Sequence, residues 1–224
     1  MSYVKQPAET KLIAEGGKLM GEILEKLAAM VKPGITGLDI DNEAERLILA
    51  AGGVPAFRGY RGRRGDPPFP SVVCFSVNHE LVHGIATKEK VIKNGDIVSI
   101  DIGMEYPNSK FQIPNSKHVG GYFTDTAVTI TVGKVPKEIE KLLNVTKEAL
   151  EAGIRAAKVG NTVADIGRAV ETYVNHKATT ALCAIWSVMA WGTLCTRSHG
   201  YQIIMTKRKR SGCLSQGSSS RLNP

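Results

Sequence analysis

Two carboxylates stand where packing alone would not put them. Asp101 lies in the apolar run Val98-Ser99-Ile100-Asp101-Ile102-Gly103, and Asp125 in Tyr122-Phe123-Thr124-Asp125-Thr126-Ala127-Val128. Asp is depleted in strands, and burial without a partner already costs about 2–7 kcal/mol for a neutral polar group. Either residue alone reads as an Asp at a strand end bonding a turn. Both together, on strands that should be hairpin neighbours, read differently, because facing carboxylates repel unless they share a proton or a cation. Hard divalent cations take oxygen ligands, and paired metals bridged by Asp or Glu suit hydrolysis of amides and phosphates. A third candidate is His83, in Val77-Asn78-His79-Glu80-Leu81-Val82-His83-Gly84-Ile85. A lone His is more often an ordinary surface or core residue than a catalytic one. This one follows a strand, and Gly84 lets backbone approach closely. His79 competes for the same role. Read from the residues, the chemistry is that of a two-carboxylate metal hydrolase.

The elements that would position these groups are legible from periodicity. Apolar residues from Lys11 to Val31 recur at the three-to-four spacing of an amphipathic helix, which Pro33-Gly34 stops. Thr36 can cap a second helix, Leu38 to Ala51, with Asp39, Asp41 and Glu43 suiting its positive N-terminal end. Gly52-Gly53 closes it, and Phe57 to Pro70, crowded with Gly, Arg and Pro, reads as a long loop. Strands are expected at Ser71–Val77, Ile97–Met104 and Tyr122–Val132, then helices at Pro136–Ala157 and Val163–Val174. The order implies an α+β domain with helices on an antiparallel or mixed sheet. Pro107-Asn108-Ser109-Lys110 recurs as Pro114-Asn115-Ser116-Lys117, where a hairpin tip would lie. Loop tips tolerate insertions, so the repeat reads as a lengthened loop without function of its own.

The 224 residues suffice for one good core or two small ones, and 42% hydrophobic with 22% charged residues excludes wholesale disorder. No apolar run approaches the ~20 residues of a membrane span, and the start Met-Ser-Tyr-Val-Lys lacks a signal peptide's apolar stretch. A cytoplasmic protein is expected. Cys74, alone in a strand-like run, reads as a buried inert thiol. The net charge of +8 is uneven: Met1–Val174 carries 22 Lys/Arg against 21 Asp/Glu, whereas Asn175–Pro224 carries 7 and no acid. That tail also holds both Trp, Cys183, Cys195 and Cys213 without a Cys-x-x-Cys pair, and a Ser-Ser-Ser run, so a zinc site is weakly supported. The bland reading is a nucleic-acid-binding extension using Lys207-Arg208-Lys209-Arg210.

The segments together resemble the type I methionine aminopeptidase family. The resemblance is carried by Val31-Lys32-Pro33-Gly34-Ile35-Thr36, Phe69-Pro70-Ser71, Cys74, Ser76-Val77-Asn78 and His83-Gly84-Ile85. It continues through Asn94-Gly95-Asp96-Ile97-Val98-Ser99-Ile100-Asp101 and Phe123-Thr124-Asp125-Thr126-Ala127. The family resemblance implies a pita-bread fold and a cytosolic, monomeric enzyme that removes the initiator Met from nascent polypeptide N-termini, at the ribosome, with no specific nucleic acid or membrane partner. It implies two divalent metal ions (Co, Mn, Fe or Zn) with Asp101 and Asp125 among their ligands. It makes His83 the His that contacts substrate and stabilises the reacting centre, and Tyr60, Phe69 and Cys74 the lining of an apolar slot for the Met side chain.

The family also uses a His in Gly-His-Gly-x-Gly-His and two later Glu ligands, which this chain lacks at matching positions. His176 and His199 have the wrong neighbours, and no acidic residue follows Glu171. As it stands the chain should therefore be inactive, a catalytically dead pita-bread binding module being the alternative. The genetic code suggests why. Read one nucleotide early, Met189-Ala190 and Trp191-Gly192 each force a Gly, and Leu182–Arg197 permits Val-Arg-Asp-Leu-Val-Gly-His-Gly-Val-Gly-His-Ala-Val-His-Glu. Gly217–Pro224 likewise permits Leu-Val-Leu-Ala-Ile-Glu-Pro. The expected organisation is thus an incomplete catalytic domain at 1–174, followed by an out-of-frame basic tail at 175–224.

Overall fold

The computed structural model describes residues 5–62, 65–108 and 120–177, and the backbone of two short strands at 217–218 and 221–222. The described residues divide into two compact units, one built on Lys11–Val135 and the other on residues 136–177. Most of the Pro-Asn-Ser-Lys repeat and nearly all of the basic tail lie outside the described residues.

In the first unit, α1 spans Pro7–Met30 and α2 Gly37–Ala50. The first helix begins four residues before the expected Lys11. Pro7 suits a first helical turn, where a missing N–H costs nothing, and Glu9 accepts the Gln6 N–H at 2.6 Å. Thr36 caps α2 as its type suggests. Its Oγ1 accepts the Asp39 N–H at 3.1 Å, and its own N–H donates to Asp39 Oδ2 at 2.9 Å.

The sheet is wholly antiparallel. Strand β3 (Ile97–Tyr106) pairs along its full length with β4 (Tyr122–Thr131). Its other edge takes β2 (Val73–Val77) and then β1 (Val54–Pro55). The two-residue β1 went unforeseen, because so short a pairing ending in Pro carries no periodicity. Strand residues alternate faces, and here the alternation separates core from site. Val98, Ile100, Ile102 and Met104 have no exposed surface, and with Val73 and Phe75 they pack on Met20, Ile23, Leu24 and Leu27 of α1 and Ile40, Ala44 and Ile48 of α2. The intervening Ser99, Asp101, Gly103 and Glu105 share the opposite face with Cys74 and Ser76 of β2 and Asp125 and Thr129 of β4.

The second unit contains α3 (Lys137–Ala156) and α4 (Val163–Lys177), joined through Val145, Ala149, Val170 and Val174. A Cβ on Gly153 would lie 2.9 Å from Val170 Cγ2, so Gly there lets the helices close up. Strands β5 (Gly217–Ser218) and β6 (Arg221–Leu222) pair antiparallel in the tail, where no strand was foreseen.

Ile100→Ala should cost about 2–5 kcal/mol, since the side chain is fully buried beneath two helices. Thr36→Ala should cost about 1 kcal/mol through the lost cap. Urea unfolding of the full chain, followed by circular dichroism, checks both. Equal midpoints for the two variants would contradict this account of the core.

Candidate metal centre and side-chain pocket

The register of β3 assembles the site. Cys74 lies directly opposite Asp101, Ala127 flanks Asp101 on its other side, and Ile85 bridges to Cys74, so these four residues form one row across the strands. Asp125 faces Gly103 and is thus the diagonal neighbour of Asp101. Diagonal positions lie about 7–8 Å apart at the backbone, within reach of converging side chains. The two carboxyl groups meet in a hydrogen bond. Phe57 packs over Gly103, opposite Asp125, where a Cβ on the glycine would lie 2.5 Å from its Cε1.

Burial is the largest influence on Asp101, followed by the charge of Asp125 and the shared hydrogen bond, and together they push its pKa to about 8. Burial also raises Asp125, against the hydrogen bonds it takes from Asp101 and the Thr126 N–H. The pair therefore holds a proton between its members near neutrality. Asp125 Oδ1 is nonetheless buried without a hydrogen-bond partner. An anionic oxygen pair with an orphaned acceptor, and no cationic side chain acting on it among the described residues, suits a hard divalent cation. Among the described residues no group of three or more His, Cys, Asp or Glu gathers as a full metal cage.

Cys74 is buried, and its thiol is pushed up to about 12 by burial and then by the charges of Asp101 and Asp125. A bond from the His83 backbone N–H works weakly the other way. The thiol is buried, as its sequence context suggests, and stays protonated near neutrality.

His83 is exposed and takes φ 56, a left-handed conformation unusual for a residue with a side chain. The segment is clamped to β2 around it. Phe75 N–H donates to Gly84 O at 2.7 Å and Gly84 N–H to Ser76 Oγ at 3.1 Å. A Cβ on Gly84 would come within 2.3 Å of Phe75 O, so the close approach foreseen for this glycine is real. Lys90 Nζ bonds Glu80 Oε1 at 2.6 Å and Phe75 O at 3.2 Å, and Glu80 Oε2 accepts the Val77 N–H at 2.8 Å. The backbone of His83 thus reaches the Cys74 row, whereas His79 is exposed in the turn beside Glu80.

Tyr60 and Phe69 face each other across the neck of the 57–70 loop. Phe69 N–H donates to Tyr60 O and Gly59 N–H to Phe69 O, both at 2.8 Å. Tyr60 is exposed and Phe69 half-buried, and Phe57, not either of them, is the loop residue packed over Gly103. Sequence reasoning missed Phe57 and misjudged Asp41. The latter, expected only to suit the positive N-terminal end of α2, is a buried carboxylate bonded to other elements. Only the apolar residues around Asp41 could have hinted at this.

Against known families, residues 11–205 match the metallopeptidase family M24. Methionine aminopeptidase 1 of Bacillus subtilis is 38% identical over 177 residues, 79% of this chain and 63% of that protein. The methionine aminopeptidase of Aquifex aeolicus is 39% identical over 162 residues, 72% of this chain and 58% of its own length. The crystal structure of methionine aminopeptidase from Thermotoga maritima superposes with a TM-score of 0.66 at 31% identity, over 79% of this chain and 63% of that one. A prolidase from Pyrococcus horikoshii shares the fold alone, with a TM-score of 0.61 at 18% identity. The fold is thus the pita-bread α+β fold. The chain spans less than two thirds of the length of these curated relatives.

The raised pKa of Asp101 makes a pH dependence with a definite sign. Folding favours its protonated form, so that contribution is complete below the ordinary value of 3.8 and is lost as pH rises through about 8. Stability of the chelator-treated protein should fall between those limits. Asp101→Asn should flatten the fall, as measured by urea unfolding across the pH range. A stability that instead rises with pH equally in both proteins would contradict the buried shared proton.

Proposed function

The chain belongs to metallopeptidase family M24, and from that membership we propose metal-dependent removal of the initiator Met from nascent polypeptide N-termini in the cytoplasm. The observation that carries the reading is the buried Asp101–Asp125 pair with its orphaned Oδ1, on a chain whose relatives are named methionine aminopeptidases. Asp101 and Asp125 would be among the ligands of two divalent ions, of Co, Mn, Fe or Zn. Bound there, such cations would polarise the scissile carbonyl and lower the pKa of water.

The other residues bind and orient. Cys74 offers a neutral, polarizable wall beside the aspartates, and Phe69 and Tyr60 complete an apolar slot suited to an unbranched thioether. His83, exposed on a clamped left-handed turn, directs its imidazole at the carbonyl of the bond to be cut and donates to the oxygen that gains charge. Asp101 and Asp125 release their shared proton when cations load, so loading is favoured as pH rises. The enzyme would act as a monomer on chains emerging from the ribosome. No helix among the described residues is long and apolar enough to cross a membrane.

The tail from Asn175 is in our reading an out-of-frame product of the same gene. A hidden frame that still permits Gly-His-Gly-Val-Gly-His argues against an old binding module, because drift would have erased it. The test compares the full chain with a version whose frame is restored after Val174, each given Mn(II), Co(II), Fe(II) or Zn(II) and a Met-Ala-Ser peptide. The restored chain should release Met. The chain as it stands should fall short by about 10²–10⁴-fold or more, the usual worth of a positioned acid/base group alone. His83→Ala in the restored chain should lower kcat by about 10²–10³-fold. Equal rates for the two chains would sink the frame reading, and no release by either would sink the peptidase.

A further inference from the structure

Asp41 is the least exposed acidic residue among the described residues, at 3%, and the hydrolytic reading gives it no task. It lies on α2, yet its bonds leave the helix in two directions. Oδ1 accepts the N–H groups of Val72 at 2.7 Å and Val73 at 3.0 Å. Oδ2 receives Arg58 Nη2 at 3.2 Å, and Arg58 Nη1 reaches Glu45 Oε1 at 2.5 Å on the same helix. Arg58 and Val72 are the two ends of the loop that carries Tyr60 and Phe69, and Cys74 follows Val72 by two positions on β2. A single carboxylate thus closes the loop at both ends and ties it to the strand bearing Cys74. Apolar packing would hold the loop near the sheet but not at one angle. Charge-assisted bonds to a guanidinium and two backbone donors fix direction as well as distance. Removing one partner from such a group leaves a buried charge uncompensated, so the arrangement has little freedom to relax.

We propose that Asp41 is the positioning residue for the side-chain pocket, holding the Arg58–Val72 loop so that Tyr60 and Phe69 stand in register with Cys74. The pocket and what it accepts rest on the peptidase reading, whereas the clamp itself does not. Asp41→Asn separates the two halves of the contact. Its amide oxygen still accepts from Val72 and Val73, but its amide N–H groups oppose the Arg58 donors. Arg58→Met cuts the same link from the other side, and Arg58→Lys restores a cation.

In the full chain, hydrogen exchange should quicken at the Gly59 and Phe69 amides in Asp41→Asn and Arg58→Met, with Ile100 and Ile102 unchanged and partial rescue in Arg58→Lys. In the frame-restored chain the same two variants should raise KM for Met-Ala-Ser about 10-fold with kcat within about 2-fold, the pattern of lost substrate positioning. The double variant should add little to either single one. Unchanged protection at Gly59 and Phe69, or a fall in kcat at constant KM, overturns the proposal. A restored chain that releases no Met sinks the peptidase reading instead. The exchange pattern then decides the clamp alone, selective loss at the loop supporting it and unchanged protection overturning it.

Discussion

Everything in the first unit depends on the phase of one ten-residue strand. Its even-numbered residues supply four wholly buried apolar side chains to the core, and its odd-numbered residues supply the floor of the site. The hydrophobic burial that holds β3 against α1 and α2 is therefore also what aims Asp101. No separate scaffold is needed, because the apolar face cannot move to solvent without a large loss of buried area.

That coupling also explains how the fold tolerates two carboxylates whose proton affinities burial raises. The pair is unfavourable when ionised, and the core beneath it carries the difference. Sites of this kind are destabilised locally and supported elsewhere. The same economy is visible at His83, whose left-handed backbone is held by the Gly84 contacts and by the Glu80–Lys90 pair, outside the reacting centre. Strain and repulsion sit where chemistry would occur, and ordinary helix and strand packing sits around them.

Much of this was legible in the order of residues. Asp101 and Asp125 announce themselves because a carboxylate in a β-branched run contradicts its neighbours, and Thr36 because capping is a local interaction. The edges that escaped notice have physical reasons. Pro7 lies ahead of the apolar periodicity that starts at Lys11, although it suits a first turn, and β1 is too short to show a period. Asp41 and Phe57 depend on partners distant along the chain. Asp41 meets Val72 only after the intervening loop has folded back, and Phe57 meets Gly103 only once β3 is in place. Local rules see propensity, and these two residues are chosen for contact.

The β3–β4 ladder runs without interruption from Ile97↔Thr131 to Tyr106↔Tyr122, and the duplicated Pro-Asn-Ser-Lys falls between the two strands in sequence. This divides the gene into stretches with different tolerance for changes of length. Codons gained or lost in the connector leave the alignment of the two aspartates untouched, since every paired position below remains in step. A single codon lost between Ile97 and Asp101 would instead turn that carboxylate toward the helices and an isoleucine toward the site. Descent in this region is thus expected to proceed by stretching the tip, while the strands below it vary in residue type but not in number.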